Sequence, residues 1–130
     1  MKRKTIEQLG PLQEKIMEAV WAKGRATVKE VWLHIDPRKE MAYTTFLSAM
    51  QKLEKEGWLK HTAEGKAHVY YPVMTLQKEG GRSLKQLMQR VFQGNPMMLF
   101  QQLLEDTNIS EDELIELKKL IDKKRREGRS

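Results

Sequence analysis

A chain of 130 residues with no cysteine and a formal net charge of +6 holds one ordinary domain, or a small domain with an assembly module. The absence of cysteine excludes a disulfide framework and a thiolate metal site, and apolar runs such as Met97-Met-Leu-Phe100 are far too short to cross a membrane. The basic balance suits a polyanionic partner, and with no secretory signal ahead of the first helical pattern the expected location is cytoplasmic.

The first helix is expected to open at Gly10-Pro11 and to end by Lys23-Gly24. Proline fits the first helical position, where its missing N–H costs nothing. Leu12, Ile16, Met17, Ala19 and Val20 mark the stripe that this helix buries. Thr27-Val-Lys-Glu30 reads as a capping box, in which hydroxyl and carboxylate each satisfy an orphan backbone donor. A second helix runs from there to about Ile35, with Val28, Val31, Trp32 and Ile35 facing inward, and Asp36-Pro37-Arg38-Lys39 forms a turn.

A third helix is predicted over residues 42–56. Phe46, Ala49, Met50 and Leu53 recur at helical spacing on its buried side. The other side carries Thr44, Thr45, Leu47, Ser48, Gln51 and Lys52, with Tyr43 at the helix entrance. Gly57 supplies the left-handed residue that ends a helix. Residues 58–62 and 68–71 are β-prone, and Glu64-Gly65-Lys66 has the composition of the turn between them. A polar-faced helix followed by a hairpin with a basic tip is a winged helix-turn-helix pattern. The helix would enter a DNA major groove while the wing at 59–72 lies over flanking phosphates.

The charges fit that division of labour. Residues 1–75 hold 13 Lys/Arg and 9 Asp/Glu, a net of +4, yet Lys52 and Lys55 are balanced by Glu54 and Glu56 within the third helix. Cations stand instead at Arg38 and Lys39 in the turn and at Lys60 and Lys66 in the wing, with His68 beside them, as phosphate clamps around a reading helix. Hydroxyls, the Gln51 amide and the methyl groups of Thr44, Thr45 and Leu47 suit sites rich in A·T more than runs of guanine.

Beyond the wing, Lys78-Glu-Gly-Gly-Arg82 has the paired glycines of a hinge, which divides the chain into residues 1–77 and 83–130. Ser83 is placed to cap a helix bearing Leu84, Leu87, Met88, Val91 and Phe92. Gly94-Asn95-Pro96 breaks it, and Pro96 opens a helix with Met97, Leu99, Phe100, Leu103 and Leu104. Ser110-Glu-Asp-Glu113 is a second capping box, starting a helix with Leu114, Leu117, Leu120 and Ile121. So many apolar side chains in so short a unit cannot be buried within it alone. A two-fold partner that interleaves its helices is the economical solution, so residues 83–126 are read as a dimerisation module.

The motifs also resemble a known family. Gly10-Pro-Leu12, Ile16-Met17, Val20-Trp21, Thr27-Val-Lys-Glu-Val31, Ala42-Tyr-Thr-Thr45, Leu53-Glu-Lys-Glu-Gly57 and Tyr70-Tyr-Pro72 are similar, at matching separations, to the penicillinase repressors. The resemblance covers about residues 9–72 strongly and continues more weakly to the end. It implies a homodimeric repressor on a palindromic operator in double-stranded DNA, with the C-terminal helices as the dimer contact. It also implies an inactivating protease or membrane sensor as a further partner. In relatives that control β-lactam resistance the cut falls at an Asn-Phe bond, where this chain has Gln102-Leu103. Copper-responsive relatives bind metal through C-terminal cysteines, which are absent here.

Other features have plainer readings. Met88, Met97, Met98 and Phe100 are adaptable core packing, and Lys123-Lys-Arg-Arg126 is a solvated helix end that complements the helix dipole. His34, His61 and His68 are scattered and do not suggest a metal, and no cofactor is expected. No nucleophile elbow or phosphate loop is present, so an enzyme is not expected. The expected fold is mainly α with a small β-hairpin, a winged helix-turn-helix followed by three dimerising helices. The competing functions are a nonspecific architectural DNA binder and a winged-helix protein-interaction module.

Overall fold

Helices and one small sheet make up the protein over residues 4–128, the part described in the computed structural model. In chain order they are α1 (Pro11–Lys23), β1 (Ala26–Thr27), α2 (Val28–Ile35), α3 (Tyr43–Lys55), β2 (Leu59–Glu64), β3 (Ala67–Pro72), α4 (Leu76–Arg90), α5 (Pro96–Asp106) and α6 (Glu111–Gly128), after a 3-10 turn at Ile6–Gln8. The chain divides into two compact units, one through Gln86 and the other from Leu87 onward.

In the first unit each helix contributes one apolar stripe to a common core. Ile16, Met17 and Val20 of α1, Val31 of α2, and Phe46, Met50 and Leu53 of α3 are fully buried. The stripes exist because the sequence repeats its apolar residues every three or four positions. Each helix end is also specified locally. Pro11 sits in the first turn of α1, and Gly24 closes it at φ +81°. Thr27 Oγ1 accepts from Glu30 N at 3.1 Å while the Glu30 carboxylate accepts from Thr27 N at 3.0 Å, which starts α2. These two bonds, the backbone one foremost, hold the Glu30 carboxyl below the usual carboxylate range.

The turn between α2 and α3 is built on Asp36, which is almost fully buried. Its carboxylate accepts from Met41 N at 2.8 Å and Glu40 N at 3.0 Å. The Met41 N–H, with the Glu40 N–H behind it, outweighs burial and holds this carboxyl below its ordinary value. Lys39 takes a left-handed φ of +54° so that the chain can return to the carboxylate.

Gly57 ends α3 at φ +88°. Gly57 N donates to Glu54 O at 3.1 Å and Trp58 N to Leu53 O at 2.8 Å, the two bonds of a Schellman motif. That motif aims the chain into β2, whose start is anchored by the buried Trp58 and Leu59. The sheet is antiparallel in the order β1-β3-β2. Glu64 pairs with Ala67, so Gly65 and Lys66 alone form the hairpin turn, with Gly65 at φ +62° as a two-residue turn demands. Both strands are longer than the sequence pattern implied. The third strand, β1, is an addition: Ala26 pairs with Tyr70 and Thr27 with Val69. A two-residue strand carries too little alternation to be legible.

The expected hinge at 78–82 is instead part of α4, and the division between units falls after Gln86. Ser83 does not cap; it lies inside the helix, and its buried hydroxyl makes no hydrogen bond among the described residues. Thr75 does the capping, accepting from Lys78 N at 3.2 Å. Two interior glycines disfavour a helix by roughly 1 kcal/mol each, but α4 is held by tertiary contacts in the first unit. Gln86 accepts from the Thr5 hydroxyl at 3.3 Å, and Glu79 is fully buried, its carboxylate paired at 3.0 Å with Arg82 one turn on in the same helix.

The second unit begins with the last turn of α4, which closes at Gln93 (φ +51°) and Gly94 (φ +76°). Asn95 caps α5 through Met98 N at 3.2 Å, with Pro96 at its first position. Ser110 and Glu113 exchange bonds of 3.1 Å to start α6. Among the described residues from Leu87 onward no side chain is buried. Met88, Phe92, Leu99 and Leu117 are half-buried, while Leu87, Val91, Phe100, Leu103, Leu104, Leu114, Leu120 and Ile121 are exposed, as is Leu84 just before the division.

Two consequences concern stability. Thr27→Ala removes the α2 cap and should cost about 1 kcal/mol, read as a lower urea midpoint with an unchanged slope. Asp36 has a folded pKa below its unfolded value of about 3.9, so its contribution is present above that value and is lost as pH falls through the folded one. Asp36→Asn should therefore be less stable than the parent chain at pH 7. Comparing urea midpoints at pH 7 and near pH 3 should show the gap narrowing in acid.

Candidate nucleic-acid interface

The core that fixes α3 also decides which of its side chains face outward. With Phe46, Met50 and Leu53 inward, Thr44, Thr45, Ser48, Gln51 and Lys52 are exposed along the opposite side. Leu47 departs from the expectation of a solvent-facing residue. It is half-buried and packs against the core, so it belongs to the border of this face. Lys52 reaches Glu56 at 4.0 Å, one turn on, which leaves the exposed face with little net charge.

Tyr43, at the first position of α3, is held edge-on against Trp32 of α2 with ring centroids 5.6 Å apart. The Trp32 indole N–H donates to Met41 O at 3.0 Å, and Lys39 places its ammonium 5.5 Å from the same ring. The entrance of α3 is therefore braced by an aromatic pair and a cation–π contact. Arg38 and Lys39 are exposed in the turn beside it.

Between this helix and the hairpin lies an open groove of about 460 Å³. Of the residues expected from sequence, it brings together Tyr43, Leu47, Lys66 and His68. Arg38, Lys39, Lys60 and the outer positions Thr44, Thr45, Ser48, Gln51 and Lys52 do not line it. The groove adds residues that the sequence reading missed: Thr27, Val28 and Lys29 from the start of α2, with Ala67 and Tyr70 from β3. Two lysines and no carboxylate line it. Lys29 was hidden because it lies in a capping box, where the pattern reports helix initiation alone. Burial, ahead of the nearby charges of Glu54 and Tyr43, pushes the Tyr70 hydroxyl above the ordinary phenol range, so it is a neutral donor at this wall.

The wing is tied to the body of the unit at two further points. Arg25, just before β1, pairs with Glu64 beside the hairpin turn at 2.8 Å. The Trp21 indole donates to Met74 O at 2.9 Å, which fixes the chain leaving β3. The exposed Arg25 pair is worth little energy, but it satisfies the one carboxylate at the wing tip. No cluster of three or more His, Asp or Glu side chains among the described residues is arranged to hold a metal ion. No helix there is long and apolar enough to cross a membrane.

Gln102 and Leu103 lie exposed within α5, and the Gln102 amide donates to the Asp106 carboxylate one turn later.

The chain is similar to known proteins over most of its length. The model of the penicillinase repressor family matches residues 9–123. The methicillin resistance regulatory protein MecI of Staphylococcus aureus (strain N315) is 23% identical over 124 residues, covering 95% of this chain and 100% of that protein. The transcriptional regulator BlaI of Mycobacterium tuberculosis (strain ATCC 25618 / H37Rv) is 30% identical over 69 residues, 52% of this chain and 50% of that protein. Among solved structures, the DNA-binding domain of the repressor BlaI aligns with a TM-score of 0.49 at 25% identity, over 56% of this chain and 89% of that one. With that family match spanning nearly its whole length, the chain belongs to the penicillinase repressor family and is a winged-helix DNA-binding transcriptional repressor, not an enzyme.

Proposed function

We propose that the protein acts in the cytoplasm as a homodimer on a palindromic operator, with one α3 reading each half-site and one wing over each flanking backbone. The observation that carries this reading is the groove between α3 and the hairpin, lined by Lys29 and Lys66 and by no acid. A phosphodiester strand entering it meets cations on two sides, while the exposed Ser48 and Gln51 lie along the adjoining helix face. Thr44, Thr45 and Lys52 complete that face, Tyr43 and His68 border the groove, and Arg38, Lys39 and Lys60 extend the cationic surround. Leu47 contributes a methyl edge from its half-buried position.

The dimer reading rests on the second unit. Helices α5 and α6 carry an apolar stripe each, yet in a single chain none of it is buried. Exposed apolar surface on this scale marks an interaction site. Leu84, Leu87 and Met88 of α4, Val91 and Phe92 in the turn after it, Leu99, Phe100, Leu103 and Leu104 of α5, and Leu114, Leu117, Leu120 and Ile121 of α6 would form one shared core in a two-fold pair. A second copy is the partner that supplies a matching surface by symmetry.

The division between reading and clamping is tested with Gln51→Ala and Lys66→Ala on operator and scrambled DNA across salt. The first should cost about 1–3 kcal/mol per half-site on operator only, with relaxed preference at one position. The second should weaken both DNAs alike and lower the salt slope by about one per contact. Equal losses for Gln51→Ala on both DNAs, or an altered preference for Lys66→Ala, would reverse the assignment.

Assembly is tested separately. Leu103→Asp and Leu117→Asp each place a charge where the shared core would form, at a desolvation cost too high for the pair to persist. Sedimentation should show monomers, and operator affinity should fall with α3 untouched. An unchanged dimer in both variants removes the second unit from the interface.

A further inference from the structure

One histidine and one carboxylate outside that interface join its two halves. Glu54 projects from the last turns of α3, and His61 stands in β2. His61 Nδ1 lies 2.6 and 2.8 Å from the two Glu54 oxygens, with each side chain about two-thirds shielded from solvent. On its other side the His61 ring stacks on His68 of β3, the centroids 4.4 Å apart and the planes 15° from parallel. His68 in turn lines the groove, so a single row of contacts runs from the reading helix through His61 to the groove wall.

We propose that Glu54 and His61 are positioning residues for DNA binding, a proton-dependent clasp between the reading helix and the wing. With His61 neutral, Nδ1–H donates to Glu54, and the carboxylate keeps its charge near the surface proposed to meet a polyanion. With His61 protonated, the same bond becomes charge-assisted and stronger, and the charge of Glu54 is cancelled. Both changes favour the DNA-bound arrangement as pH falls through the imidazole range, about pH 8 to 5.

The surrounding groups preserve this dependence. Tyr70 of β3, its ring 5.4 Å from that of His61, is kept neutral by burial. His68 of β3 stacks on one face of the His61 ring, and Glu54 of α3 meets its Nδ1 edge. Lys29 of α2, Lys66 of the hairpin turn and Tyr43 of α3 share the groove with His68.

The inference rests on the reading of α3 and the wing as the DNA contact, and two measurements separate the two ideas. The first is operator binding by fluorescence anisotropy at pH 8 and pH 6, across salt, for the parent chain, His61→Gln and His68→Gln. Glutamine keeps an N–H donor for Glu54 but does not titrate. The parent chain should bind several-fold more tightly at pH 6, with a salt slope steeper by up to about 0.9 per half-site. His61→Gln should lose most of that rise; His68→Gln, which removes a groove residue, should lower affinity at both pH values yet still bind more tightly at pH 6. The second is a pH titration of the free protein by NMR. The backbone amides of Glu54 and His61 should follow the His61 ring with one midpoint, and the Glu54 amide should stay still in His61→Gln. A full affinity rise in His61→Gln, or amides that ignore the ring, overturns the clasp. Amides that follow the ring in a chain binding no operator at either pH overturn the DNA contact, and with it the positioning role, while leaving the link between helix and wing intact.

Discussion

The burial of Phe46, Met50 and Leu53 is the constraint on which the first unit turns. Three residues at positions i, i+4 and i+7 commit one side of α3 to the core, and helix geometry then commits the other side to solvent. Thr44, Ser48 and Gln51 are presented together because they cannot be anywhere else once that stripe is buried. The same helix sets the wing. Its Schellman end at Gly57 turns the chain through about one residue into β2, and Trp58 and Leu59 are buried immediately after. Reading face and hairpin are therefore two products of one packed helix, and their separation is not free to drift.

Charge is arranged around this frame with restraint. Lys52 and Lys55 are balanced by Glu54 and Glu56 along α3, so the helix carries little net charge of its own. The cations stand beside it, at Lys29 and Lys66 in the groove and at Arg38 and Lys39 in the preceding turn. In the proposed reading these cations would meet phosphates, contacts that position a protein on any duplex, whereas the hydroxyls and amide on the helix would discriminate between bases. A repressor needs both. Binding that relied on charge within the reading helix would raise affinity for every sequence equally.

The second unit follows a different logic. Its helix ends are well specified, by Asn95 for α5 and by Ser110 and Glu113 for α6. Local bonds of that kind start helices but do not hold them together. No described side chain there is buried, so within one chain the unit has no closed apolar core of its own. In the proposed dimer the second chain would supply that core and would also space the two α3 helices.

Much of this was legible from residue order alone. Helix ends depend on side chains within four residues of each other, so Pro11, the Thr27–Glu30 box, Gly57, Pro96 and the Ser110–Glu113 box were readable directly. The stripes of α1, α2 and α3 were readable because helical periodicity is a property of spacing, and the polar face of α3 followed as their complement. What residue order could not decide was whatever depends on distant segments meeting. The paired glycines at 80 and 81 suggested a hinge, yet α4 persists through them because Glu79 is buried and Gln86 meets Thr5. Strand β1 exists only because β3 passes beside it. Leu47 was drawn toward the core, and Lys29, His61 and Glu54 acquired neighbours from other elements. Local hydrogen bonds and periodicity are encoded by near neighbours, whereas a groove or a helix-to-wing contact is created only when the hydrophobic core brings remote parts of the chain together.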